Sequence, residues 1–92
     1  MSAGTRVERI RALVQDRLAP GQLEVLDESA AHAGHAGAAG GAGHFRVRVV
    51  SEAFKGLTRV QRHRLVYAAL ESLLRHEIHA LALTTLAPGE ES

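Results

Sequence analysis

Six histidines and no cysteine set the chemistry open to this 92-residue chain. Imidazole can ligate a metal or carry a proton near neutral pH. Any thiolate in a metal site here would have to be lent by a partner. The histidines fall in four places. His32 and His35 lie in a stretch of alanine and glycine, and His44 opens an alternating segment. His63 sits between two arginines in a helical pattern, and His76 and His79 stand where that pattern ends. His79 is expected at a helix-to-strand junction, where a side chain can project past a sheet edge; on position alone, a hydrogen bond to a nearby carbonyl is the simpler reading. His32 and His35 have no packing to do, and flexible backbone would let either imidazole swing toward a ligand. His63 lies on the apolar stripe, so a buried, hydrogen-bonded histidine joining helix to sheet is expected. His76 is accounted for by the negative end of the helix dipole. A zinc site from His32, His35, His76 and His79 is disfavoured, because structural zinc sites usually include cysteine and one of these pairs sits on glycine-rich coil.

The elements that must position these groups are legible in outline. Thr5 and Glu8 form a T-x-x-E capping box, and Val7, Ile10, Val14 and Leu18 recur at helical steps until Pro20 and Gly21. Leu23 to Asp27 reads as a short strand. Residues 28–43 read as a flexible Gly/Ala/His loop. Phe45, Val47 and Val49 alternate with Arg46 and Arg48, the period of a strand with one face covered. A tight connection with a short helical turn follows over 51–56, and Thr58 caps a long helix. On that helix Val60, His63, Tyr67, Leu70 and Leu74 form the expected apolar stripe, flanked by Val66 and Leu73, with Gln61, Arg64, Glu71 and Arg75 opposite. Leu81 and Leu83 alternate with alanines in a closing strand, and 87–92 reads as a short tail. A connection of this length returns the last strand parallel to the one before it. The fold class is α+β, in one domain over 1–92.

Composition narrows the function classes. Aromatics are 3% of the chain, so the core is expected to be aliphatic. A net charge of +1 names no partner. No signal-like apolar segment and no membrane-length span are visible, so a cytoplasmic protein is expected. No nucleophile stands in a motif with a base, no carboxylate pair marks a cleft, and the glycines of 34–43 lack the lysine of a phosphate-binding loop. An enzyme is not expected.

The run Phe45-Arg46-Val47-Arg48-Val49-Val50, the turn Phe54-Lys55-Gly56-Leu57, the segment Arg62-His63-Arg64-Leu65-Val66-Tyr67 and His79-Ala80-Leu81 together resemble the BolA family over nearly the whole chain. The resemblance implies a class II KH-like fold of order α-β-β-α-α-β, with helices on one face of a three-stranded mixed sheet. It also implies a non-enzymatic partner of monothiol glutaredoxin in iron-sulfur cluster assembly, trafficking or iron regulation. A 2Fe-2S cluster would be shared with glutaredoxin and glutathione, none being expected in the isolated chain, which is read as a monomer or weak homodimer. By this resemblance His79 is a cluster ligand. The second contact comes from the loop, where Glu28-Ser29-Ala30-Ala31-His32 favours His32 over His35; His44 is a lesser candidate. A five-residue tether from Asp27 to His32 spans roughly 12 Å as a coil, so reach is no obstacle.

The alternative function is a DNA-binding transcriptional regulator of stress response and cell morphology, a role also attributed to bacterial members of that family. Arg46, Arg48, Lys55, Arg59, Arg62 and Arg64 are its candidate contacts. Tight phosphate binding uses roughly 6 to 10 contacts, and these six are spread along different elements, so binding is expected to be weak. The turn at Gly56 is not the G-x-x-G of a KH-type RNA loop, and aromatics to stack bases are few.

Overall fold

The computed structural model describes residues 4–29 and 43–91. The expected flexible loop therefore falls outside the described residues except at its ends. Helix α1 spans Arg6–Leu18 and strand β1 Gln22–Asp27. Strand β2 spans Gly43–Val50, and a 3₁₀ turn follows at Glu52–Phe54. Helices α2 (Arg59–Ala69) and α3 (Glu71–Leu74) then lead into strand β3 (Ile78–Leu86). This is the expected α-β-β-α-α-β order in an α+β fold. The sheet order is β1-β2-β3, with β1 antiparallel and β3 parallel to β2.

Both expected helix starts are present with reciprocal caps. The Thr5 hydroxyl accepts from the Glu8 amide while the Glu8 carboxylate accepts from the Thr5 amide. Thr58 and Gln61 repeat the arrangement at α2. Each box satisfies two of the amides that a helix start leaves unpaired. The long helix expected after Thr58 is broken at Leu70, whose φ of −102° and ψ of 8° separate α2 from α3.

One face of the sheet is covered by helices. Ile10, Val14 and Leu18 of α1, and Val66, Leu70 and Leu73 from α2, the break after it and α3, close over Val25, Phe45, Val47, Val49 and Ile78. Two expectations are corrected here. The core is not purely aliphatic, since Phe45 and Phe54 are its largest fully buried side chains. The buried stripe of the long helix is Val66, Ala69, Leu70 and Leu73, while Val60 is 58% and Tyr67 42% exposed. The spacing 66, 69, 70, 73 is itself a helical face; Ala69 hides it, because alanine reads as neutral in a pattern. His63 is half-buried, and the residue that ties helix to sheet is its neighbour Arg62. The Arg62 guanidinium donates to the carbonyls of Leu57 and Thr85 and to the Glu90 carboxylate.

Phe54→Ala should cost about 3–5 kcal/mol of unfolding free energy, as aromatic truncation in a closed core does. Val60→Ala should change it by less than about 0.5 kcal/mol. Urea denaturation of the two variants measures both, and equal losses would contradict this core.

Candidate functional site

The first residues of β2 and β3 build the site. Along most of the pair the parallel ladder is regular, from Phe45↔Leu81 to Val50↔Leu86. At the start it is not: Gly43 pairs with Ile78, but His44 pairs with Ala80. One step on β2 is matched by two on β3, and the extra residue is His79. A bulge of this kind re-aims side chains. Ile78 is buried in the core while His79 and Ala80 are both exposed. His44 precedes the inward Phe45 on β2 and so belongs to the face turned away from the helices. The imidazoles of His44 and His79 consequently meet, with ring centroids 5.2 Å apart and planes inclined by 53°.

The β1 side braces His44. Its amide donates to Ser29 Oγ at 3.0 Å, and its carbonyl accepts the Glu28 amide at 2.8 Å. The Ser29 amide in turn donates to Asp27 Oδ1 at 2.9 Å. Hydrogen bonds from the Ser29 side chain and backbone hold the Asp27 carboxyl below the usual carboxylate range. Gly43 is required here by crowding. A Cβ at that position would lie 2.6 Å from Ser29 Oγ and 2.6 Å from the Phe45 ring.

Beside the pair lies a shallow pocket of about 280 Å³, lined by Glu28, His44, Arg46, Ala80 and Ala82 among others. Its lining includes the Arg46–Glu28 ion pair at 3.1 Å and the small residues Ala80 and Ala82. Two adjacent imidazoles can provide half of a four-ligand metal set. No group of three or more metal-ligating side chains occurs among the described residues.

Of the candidates read from the sequence, His79 is exposed at the expected junction. His32 and His35 lie outside the described residues. The described imidazole that meets His79 is His44, ranked below the loop histidines in the sequence. The period of two does place His44 on the same outer face as Arg46 and Arg48; the bulge that brings His79 beside it has no pattern in the sequence.

The basic candidates divide between two faces. Arg46 and Arg48 lie on the open sheet face, bound to Glu28 and Gln22. Lys55 pairs with Glu52 in the 3₁₀ turn. Arg59 and Arg64 are exposed on α2, which packs on the opposite face. The Arg62 side chain is only 12% exposed and is held by both oxygens of Glu90.

A profile of the family described as BolA-like protein matches residues 14–90. The chain belongs to the BolA family. SufE-like protein 1, chloroplastic/mitochondrial, of Arabidopsis thaliana is 43% identical over 98% of this chain and 26% of that protein. The chain likewise spans only 63% of the mouse and 57% of the human BolA-like protein 1. The solved structure of BolA1 from Arabidopsis thaliana superposes with a TM-score of 0.84 at 39% identity, covering 99% of this chain and 100% of that one. A protein of Vibrio cholerae named DNA-binding transcriptional regulator BolA is 42% identical over 88% of this chain and 74% of its own length. The BolA fold thus accounts for the sheet order and the helix layer. No helix among the described residues is long and apolar enough to cross a membrane.

The end of this BolA domain is tied down by charge. The Arg62 guanidinium and the Ala87 amide donate to Glu90, holding its carboxyl at about 2, below the ordinary 4.5. A depressed carboxyl contributes stability that is present above its unfolded value and lost as pH falls toward the folded one. Glu90→Gln should therefore flatten the acid limb of the stability curve between pH 4.5 and about 2; thermal melts across that window check it.

Proposed function

We propose that this chain is a non-enzymatic partner of a monothiol glutaredoxin and completes a shared 2Fe-2S centre through imidazole. The observation that carries the reading is the meeting of His44 and His79 at one end of the open sheet face. His79 is the ligand from β3, and His44 is the second imidazole already beside it. His32 follows Ser29 by three residues, and Ser29 is bonded to His44, so the loop leaves the sheet at the same corner. His32 and His35 can reach that corner over roughly 10 Å and 20 Å of extended chain.

A cysteine-free chain supplies only part of such a set, so the glutaredoxin cysteine and glutathione supply the thiolates. When bound, the centre gains a higher reduction potential from neutral imidazole than it would have from thiolate alone. The residues of this chain present two rings, brace the backbone of His44 through Ser29, and offer the small-residue surface of Ala80 and Ala82 for close approach. The output is cluster assembly, trafficking or iron regulation.

A second reading, a DNA-binding regulator, is favoured by similarity to the Vibrio cholerae protein named DNA-binding transcriptional regulator BolA and by the exposure of Arg59 and Arg64 on α2. It ranks lower because Arg46 and Arg48 face the other way and Arg62 is engaged by Glu90.

Co-expression with a monothiol glutaredoxin tests the proposal. His79→Ala should abolish the coloured complex and His44→Ala should weaken it. His32→Ala or His35→Ala weakening it instead would move the second ligand to the loop. Imidazole binds metal only when neutral, so visible circular dichroism of the complex should fade between about pH 8 and about pH 5.5. Undiminished colour in His79→Ala would defeat the reading, and salt-sensitive duplex binding by a colourless wild type would favour the regulator.

A further inference from the structure

The bulge that exposes His79 follows from two anchors whose residue counts disagree. Downstream, Phe45↔Leu81 sets the ladder, with Leu81 and Leu83 packed against the core. Upstream, the Gly43 amide donates to the Glu77 carbonyl at 3.0 Å, and Gly43 pairs with Ile78. Between the paired positions 43 and 45 lie two steps, and between 78 and 81 lie three. The surplus residue has to leave the ladder, and it does so at His79. Releasing the upstream anchor would let the surplus slide back into the turn at 75–77 and carry His79 away from His44.

Glu77 is held from three sides. Its amide donates to the Leu73 carbonyl at 2.8 Å, and its carbonyl takes the Gly43 amide. Its carboxylate is gripped by both terminal nitrogens of Arg9, one at 2.8 Å to Oε2, with Arg6 Nε 3.7 Å from Oε1. Both partners of the main pair are largely shielded, the side chains of Arg9 and Glu77 being 30% and 25% exposed. Helix α1, the end of α3 and the first residue of β2 thus converge on the residue that precedes the bulge.

From this geometry we infer that Glu77, gripped by Arg9, is a positioning residue for the His44–His79 pair. The guanidinium of α1 sets where β3 enters the sheet, and so fixes which residue is extruded. The functional weight of this inference rests on the cluster reading above; its geometry does not involve iron. Neither Arg9 nor Glu77 is placed among the ligands. Outer partners that orient metal ligands typically govern affinity by 10- to 100-fold.

The test uses the full chain carrying Arg9→Met, Glu77→Ala or Arg62→Met. Arg62→Met breaks a different guanidinium–carboxylate pair, with Glu90 beyond the far end of β3, and controls for general loss of stability. The nuclear Overhauser contact between the His44 and His79 rings should be present in wild type and in Arg62→Met, and lost in Arg9→Met and Glu77→Ala. Binding of Co²⁺ alone, read by its visible spectrum, should weaken about 10- to 100-fold in the latter two variants and hold in Arg62→Met. If Glu77→Ala does not fold, Arg9→Met decides, because it leaves the backbone bonds of Glu77 intact. An inter-ring contact and a Co²⁺ affinity both unchanged in Arg9→Met overturn the inference, as does a wild type without the contact. The contact is measured without iron or partner. A colourless wild-type complex refutes the cluster reading while the contact still judges the clamp.

Discussion

A strand that must satisfy two fixed partners with one residue too many has to expel that residue, and in this domain the expelled residue is His79. The core holds one partner in place. Leu81 and Leu83 face the helices, and a one-step slip of β3 would turn them outward and bring alanines in. The entry to β3 holds the other, through the bond between Gly43 and Glu77. Everything chemical about this end of the sheet follows from that mismatch. It sets His79 beside His44, while on the β1 side Ser29 and the Phe45 ring crowd position 43 so closely that a Cβ there would lie 2.6 Å from each. Bulges in parallel pairs are rare, and where bulges occur they commonly re-aim a side chain beside a site.

Much of the fold was legible because its signals are local. The Thr5–Glu8 box, the Thr58 cap and the alternation from Phe45 to Val49 each satisfy hydrogen bonds or bury one face within a few residues, and each stands where the pattern put it. The match to the BolA family's motifs carried the topology, which the segmentation alone was compatible with but did not select. What escaped is non-local. The buried face of α2 depends on Ala69, whose small side chain fits under the sheet but contributes nothing to a hydrophobic pattern. Arg62 outranks His63 as the tie to β3 because Glu90, distant in sequence, closes on it. The sequence does not single out His44 because its neighbour in space is set by the bulge, and a bulge is a disagreement between two strands that neither strand shows alone.

The pairing of imidazoles without cysteine has a consequence for how such a domain can act. Two neutral nitrogens bind a transition metal weakly compared with a full thiolate set, and their hold depends on pH because protonation competes with the metal. Under the proposed function, a centre that needs a second protein's sulfur would form only when that protein arrives. His79 is exposed, and the small, exposed Ala80 and Ala82 leave the surface beside it open to close approach. A closed structural metal site would be built with a complete tetrahedron in one chain.

The same accounting of neighbours bears on nucleic acid. Of six basic candidates, Arg62 is spent on Glu90 and on two backbone carbonyls, and Lys55 answers Glu52. Arg46 and Arg48 lie on the face opposite α2 and bond Glu28 and Gln22. Of these six, a duplex approaching α2 would therefore find only Arg59 and Arg64, at most about two phosphate contacts. The salt slope of binding scales with the number of phosphates neutralised. A slope near −2 would describe contact of that helix alone, whereas a slope several units steeper would require Arg46 and Arg48 as well, hence a second copy or a bent duplex engaging both faces at once.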